Sequence, residues 1–164
     1  MAKARTIGIG MDYSPSSKTA LKWAVDNLVE NGDKLVVIHV QSPKSDPAQK
    51  KLWEETGSPL IPLGEFKEMN LSKQYGLTRD PDVLDLLDSA SAAEGATVLC
   101  KVYWGDPREK LLDAVEGLKL DSLVVGSRGL GAIKRVLLGS VSNYVVTNAT
   151  CPVTVVKGIP VTKP

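Results

Sequence analysis

The sequence predicts an α/β domain built on a parallel sheet. Short apolar runs alternate with amphipathic helical segments along the chain, the pattern of βα units. The runs lack polar alternation, as strands covered on both faces do. Two of the helical segments open on a capping residue followed by proline, at Ser14-Pro15 and Asp106-Pro107.

The elements follow in order. Thr6-Ile7-Gly8-Ile9-Gly10-Met11 reads as a buried strand and Asp12 to Ser17 as a loop carrying helix caps. Ala20, Leu21, Ala24, Val25, Leu28 and Val29 then form one helical stripe, and Asn31-Gly32-Asp33 ends it with residues suited to positive φ. Leu35 to Val40 is a second strand. Regularity returns at Pro81, where Val83, Leu84, Leu86, Leu87 and Ala90 face one side of a helix closed by Gly95. Thr97 to Trp104 is a strand. Asp106, Pro107 and Glu109 open a helix whose buried face is Leu111, Leu112, Val115 and Leu118. Leu123-Val124-Val125 is a strand, Ser140 to Asn148 a short helix, and Val153 to Val156 the last strand.

Residues 41–80 break the pattern. Pro43, Pro47, Pro59, Pro62, Gly57, Gly64 and Gly76 punctuate a stretch too long for an ordinary loop. It reads as an insertion holding short helices near Ala48–Glu55 and Glu65–Tyr75. At 164 residues the chain fits one domain, 1–164, able to bury a core without metals or disulfides.

Composition narrows the function. Twenty basic and nineteen acidic residues give a net charge of +1, which supplies no electrostatic case for nucleic acid or an anionic membrane. Cys100 and Cys151 lack metal-ligand spacing and read as reduced thiols. His39, the single histidine, lies in an apolar run and has no second histidine with which to share a metal. The basic start at Lys3 and Arg5 leads into too few apolar residues for a signal peptide, and no run reaches the roughly 20 of a membrane span. The cytoplasm is the expected compartment, with the nucleus left open.

Several motifs fail. Gly8-Ile9-Gly10 would need its third dinucleotide-site glycine at Tyr13. Gly126 to Gly131 has P-loop glycine spacing, yet Ala132 stands where the lysine belongs. Val125 spoils a nucleophile elbow at Ser127.

What remains is Gly126-Ser127-Arg128-Gly129, nine residues, then Gly139-Ser140. Glycine backbone can approach a phosphate closely, and a helix opening at Ser140 turns its N–H groups toward the same space. Ser140 and Ser142 add hydroxyls. Arg128, Lys134 and Arg135 bring positive charge with no acid between Gly126 and Val156. The plain alternatives are a flexible glycine connector and, for Lys134 and Arg135, a solvated face.

That run matches in full the G-x-x-G, nine residues, G-[ST] pattern of the universal stress proteins, which the chain resembles over nearly its whole length. Asp12 after the first strand, His39-Val40, Gly105-Asp106-Pro107, Leu123 to Ser127 and Cys151-Pro152-Val153 extend the likeness. Gly-Ser-Arg-Gly-Leu-Gly and the Trp53 to Pro62 insertion look like plant members. The resemblance implies one doubly wound sheet of five parallel strands in order 3-2-1-4-5, helices on both faces, and a ligand crevice between strands one and four. It implies adenine nucleotide, ATP (with Mg²⁺) or AMP. Asp12 beside Met11 would meet the ribose or adenine, and Val40 would offer backbone or apolar contact to the adenine. Gly126, Arg128 and Gly129 would line the ribose and first phosphates, and Val125 belongs to the same nucleotide site. Gly139, Ser140, Val141 and Ser142 would donate to the phosphates. A helix cap is the plain reading of Asp12, and simple core that of Val40.

The resemblance further implies a homodimer through the apolar edge strand Val153–Val156. The leading functional expectation is a stress-response protein whose nucleotide occupancy tunes conformation or partner choice. A holdase-like interaction module is the alternative, with Trp53, Leu60, Ile61, Leu63 and Phe66 as client surface. A slow ATP hydrolase is a third, without a P-loop lysine or an evident base to serve it.

Overall fold

The computed structural model describes residues 4–41, 56–68, 80–127 and 140–157. In chain order these form β1 (Thr6–Gly10), α1 (Pro15–Asn27), β2 (Lys34–Gln41), β3 (Ile61–Pro62), α2 (Leu63–Phe66), α3 (Pro81–Ala92), β4 (Thr97–Trp104), α4 (Pro107–Gly117), β5 (Ser122–Gly126), α5 (Ser140–Asn148) and β6 (Val153–Val156).

The sheet order is β3-β4-β2-β1-β5-β6. Its five parallel strands stand in the expected 3-2-1-4-5 arrangement. The expectation of five strands is corrected, however: β3 is a sixth, antiparallel to β4, with Ile61 opposite Cys100 and Pro62 opposite Leu99. Two residues carry no readable period, and proline argues against a strand except at an edge, which is where β3 lies.

Strand side chains alternate between two apolar layers. Ile7, Ile9, Leu35, Val37, Cys100, Val102 and Val124 face α1 and α3, whose Ala20, Leu21, Ala24, Val83 and Leu87 cover them. Val36, Ile38, Tyr103, Leu123 and Val125 face the other way, onto Leu111, Ala114 and Val115 of α4 and Val145 of α5. The glycines of β1 serve this second layer. A Cβ on Gly8 would lie 2.6 Å from Leu120 Cδ1, and one on Gly10 would lie 3.3 Å from Val125 Cγ1. Their role is to let Leu120 and Val125 close onto β1.

The starts of α1, α3 and α4 are capped by side chains. Ser14 Oγ accepts from the Ser17 N–H (3.2 Å), Asp80 Oδ1 from the Asp82 N–H (3.0 Å), and Asp106 Oδ1 from the Arg108 N–H (2.9 Å), each before a proline. Gly32 and Gly95, at φ +90° and +72°, carry the turns after α1 and α3.

The described part of the 41–80 stretch folds back onto the sheet. Ser58 is buried; its N–H donates to the Val102 carbonyl (2.8 Å) and its Oγ accepts from the Val102 N–H (2.9 Å). Lys101 Nζ donates to the Ser58 carbonyl, and Lys67 pairs with Asp88 of α3 at 2.9 Å. Ile61 is buried, while Leu63 and Phe66 pack against the first layer. Of the proposed client surface only Leu60 stands exposed among the described residues. Trp53, the 48–55 helix and residues 69–75 of the 65–75 helix lie outside them. Both cysteines are free thiols, Cys100 buried and Cys151 half-buried. No described helix is long and apolar enough to cross a membrane.

Candidate functional site

β1 has β2 on one side and β5 on the other, so the chain leaves the sheet centre in opposite directions. The C-terminal ends of β1 and β5 therefore frame the crevice in which open α/β sheets place ligands.

The β1 side is a tight, interlocked turn. The Met11 N–H donates to the Ile38 carbonyl (2.8 Å), and His39 Nδ1 lies 2.8 Å from the Met11 carbonyl. A carbonyl can only accept, so Nδ1 carries the proton. Asp12 Oδ1 accepts from the N–H (3.0 Å) and hydroxyl (2.5 Å) of Ser14, the N-cap of α1. Tyr13 between them sits at φ +64°, a left-handed conformation unusual for its type. Its ring meets His39 edge-on, with centroids 5.1 Å apart. Burial pushes the Tyr13 phenol up, keeping it neutral. Burial also pushes the His39 imidazole down, partly opposed by the Met11 carbonyl, the Gln41 side chain and the Asp12 charge.

On the β5 side, Gly126 lies against the first turn of α1. A Cβ there would come within 2.5 Å of Ser16 Oγ and 2.7 Å of the Ser16 carbonyl. The Ser127 N–H donates to the Val156 carbonyl (3.0 Å), and the Ser142 hydroxyl donates to the Ser127 carbonyl (3.0 Å). That bond ties the opening turn of α5 to the end of β5. Ser140, the first residue of α5, is exposed.

The expected residues fall into three groups. Val40, Val125 and Val141 share the α4/α5 layer, with Ser142 buried beside it. Met11 is buried in the opposite layer, and Asp12 sits half-buried just past the β1 tip. Gly126 ends β5 against α1. Arg128, Gly129 and Gly139, with Lys134 and Arg135, lie outside the described residues. Sequence reading missed His39, Tyr13 and Ser16. Ser14 was legible as a cap, but nothing in the sequence signals that His39 reaches the Met11 carbonyl. Among the described residues no group of three or more His, Cys, Asp or Glu side chains could hold a metal.

An acid at the β1 tip, half-buried Val40 near the end of β2 and a helix opening against the end of β5 suit a ligand with hydroxyls, a flat apolar part and an anionic end.

Comparison with known proteins places this architecture. The model of the universal stress protein family matches residues 3–157. Universal stress protein PHOS32 of Arabidopsis thaliana is 33% identical over 93% of this chain, and the chain spans 64% of that protein's length. Universal stress protein A-like protein, also from Arabidopsis thaliana, is 30% identical over 94% of this chain and 85% of its own. An Arabidopsis thaliana universal stress protein family structure with AMP bound superposes with a TM-score of 0.56 at 26% identity, covering 95% of this chain and 93% of that one. The chain belongs to the universal stress protein family.

Proposed function

We propose that this protein binds an adenine nucleotide, ATP or AMP, between the ends of β1 and β5, and that occupancy tunes its conformation or its choice of partner under stress. The observation that carries the reading is the Ser142–Ser127 bond, which sets the start of α5 against the end of β5 at the topological switch point. The first N–H groups of a helix have no intrahelical acceptor, and its dipole favours an anion there. Asp12 then meets ribose hydroxyls away from the phosphates, where a carboxylate is not repelled. Val40 and Val125 offer apolar contact to the base, and Gly126, Arg128, Gly129, Gly139, Ser140, Val141 and Ser142 line the ribose and phosphates. The AMP in the Arabidopsis relative supports the ligand class. Mg²⁺ enters, on this reading, with the ATP phosphates.

The same reading makes 1–164 one domain that works in the cytoplasm as a homodimer. Val153–Val156 has one strand neighbour among the described residues and is half-buried throughout. Pairing with a second copy would complete that edge.

The test is to identify what copurifies. Protein from a native preparation is denatured, and the released small molecules are separated and weighed. ATP or AMP in the supernatant of wild type, absent with Gly139→Val, is the expected outcome. A wild-type protein that neither carries nor takes up either nucleotide overturns the reading.

A further inference from the structure

The geometry points to His39 as a positioning residue for the nucleotide site: its side chain ends the β1–β2 ladder and leaves the Val40 backbone facing the ligand crevice. This rests on the nucleotide-binding reading above.

In the parallel β1–β2 pair, alternate residues of β2 direct their N–H and C=O groups toward β1. Lys34 donates to the Arg5 carbonyl, and Ile38 accepts from the Met11 N–H. The next residue in that series is Val40, and a continuing ladder would bond its N–H to the Met11 carbonyl. The register instead stops at Gly10 opposite Ile38, and the donor at the Met11 carbonyl is the imidazole Nδ1 at 2.8 Å.

Three consequences follow. The Met11 carbonyl, belonging to a buried residue, is satisfied without the Val40 N–H. β1 can then turn away from β2 at Asp12, through the left-handed Tyr13, whose ring lies edge-on to the same imidazole. And by the same alternation the Val40 N–H and C=O turn to the β1 side past its last paired residue, where an adenine edge needs one donor and one acceptor. Asp12 is fixed from both sides, by His39 through the Met11–Asp12 peptide and by the Ser14 N–H and hydroxyl.

The experiment compares wild type with His39→Asn, His39→Gln and His39→Leu in the full chain. Asparagine places an amide N–H near the position of Nδ1; glutamine carries its amide further out, near Nε2. AMP and ATP affinities are measured by calorimetry, and amide exchange over residues 11–14 by mass spectrometry. With His39→Leu and His39→Gln the affinity is expected to fall about tenfold or more, the scale of one positioned hydrogen bond. Exchange over 11–14 should rise at the same time. His39→Asn should stay close to wild type in both. Equal affinity in wild type and His39→Leu overturns the proposal while leaving the nucleotide site standing. A wild type that binds neither nucleotide overturns the site, and with it His39's role there. Exchange unchanged in His39→Leu shows that the imidazole does not hold the turn and overturns the clamp itself.

Discussion

Gly126 and Ser16 touch so closely that no side chain fits between them: a Cβ on Gly126 would lie 2.5 Å from Ser16 Oγ. This contact sets the end of β5 directly against the first turn of α1. Gly126→Ala must push α1 away or bend β5, and neither neighbouring backbone gives easily. The expected cost is about 1–3 kcal/mol, read as a lower urea midpoint with an unchanged slope. Gly64, with open space around its missing Cβ, is the control, and Gly64→Ala should shift the midpoint little. Equal stability of the two variants would show that the crevice wall is soft.

Ser58 closes the β4 edge by acting as both donor and acceptor to Val102. Ser58→Ala strands the buried Val102 N–H and is expected to cost about 1–3 kcal/mol. Gly57 beside it sits at φ +81°, where a Cβ would meet the Tyr103 ring at 2.8 Å. Gly57→Ala should therefore destabilise as well, and both variants should raise amide exchange in β4. Wild-type exchange in β4 for both would mean that the edge stands without this segment.

Acid should weaken the fold in two stages. His39 is held below the ordinary imidazole value by burial, so below pH about 6.5 the unfolded chain takes up a proton that the folded chain refuses, and stability falls with pH. Burial pushes the Asp33 carboxyl up, but the Arg5 guanidinium and the backbone N–H groups of Glu30 and Arg5 outweigh it and hold it below its usual range. Its contribution is present above pH about 3.9 and is lost as pH falls through the folded value. Urea midpoints from pH 8 to 3 should decline from about 6.5 in wild type but not in His39→Asn. Asp33→Asn should be less stable at neutral pH and should flatten the decline below about 4. A wild-type midpoint constant between pH 7 and 5 would contradict the first stage.

The parallel architecture was legible because it is written in period and punctuation. Ser140–Asn148, Thr97–Trp104 and Val153–Val156 carry the bounds read from the sequence. The caps at Ser14 and Asp106 are local chemistry, visible without a structure. What escaped is non-local. β3 is two residues, one of them proline, and exists only because β4 offers an edge. Gly8, Gly10 and Gly126 look alike in sequence, yet each is small because of a particular neighbour: Leu120, Val125 and Ser16. The Ser142 hydroxyl, expected as a phosphate donor, donates to the Ser127 carbonyl. His39 meets Met11 across 28 positions of chain, a distance over which no periodicity carries information.

The β6 edge bears on assembly. The Leu123 N–H donates to the Pro152 carbonyl and the Ser127 N–H to the Val156 carbonyl, so alternation turns the Val153 and Val155 backbone groups outward. Light scattering of the wild type at micromolar concentration should give twice the chain mass. Val155→Pro removes an outward N–H without touching the β5 ladder and should yield monomer with native circular dichroism. A wild type that is monomeric at that concentration would sink the dimer.

Binding of nucleotide at the β1–β5 crevice is tested most directly by calorimetric titration of the full chain with AMP and with ATP, alongside Asp12→Ala. The expected result is saturable binding of at least one nucleotide, one site per chain, weakened about tenfold or more by Asp12→Ala, as loss of hydrogen bonds to a charged group requires. No saturable heat with either nucleotide, or affinity unchanged by Asp12→Ala, would contradict it.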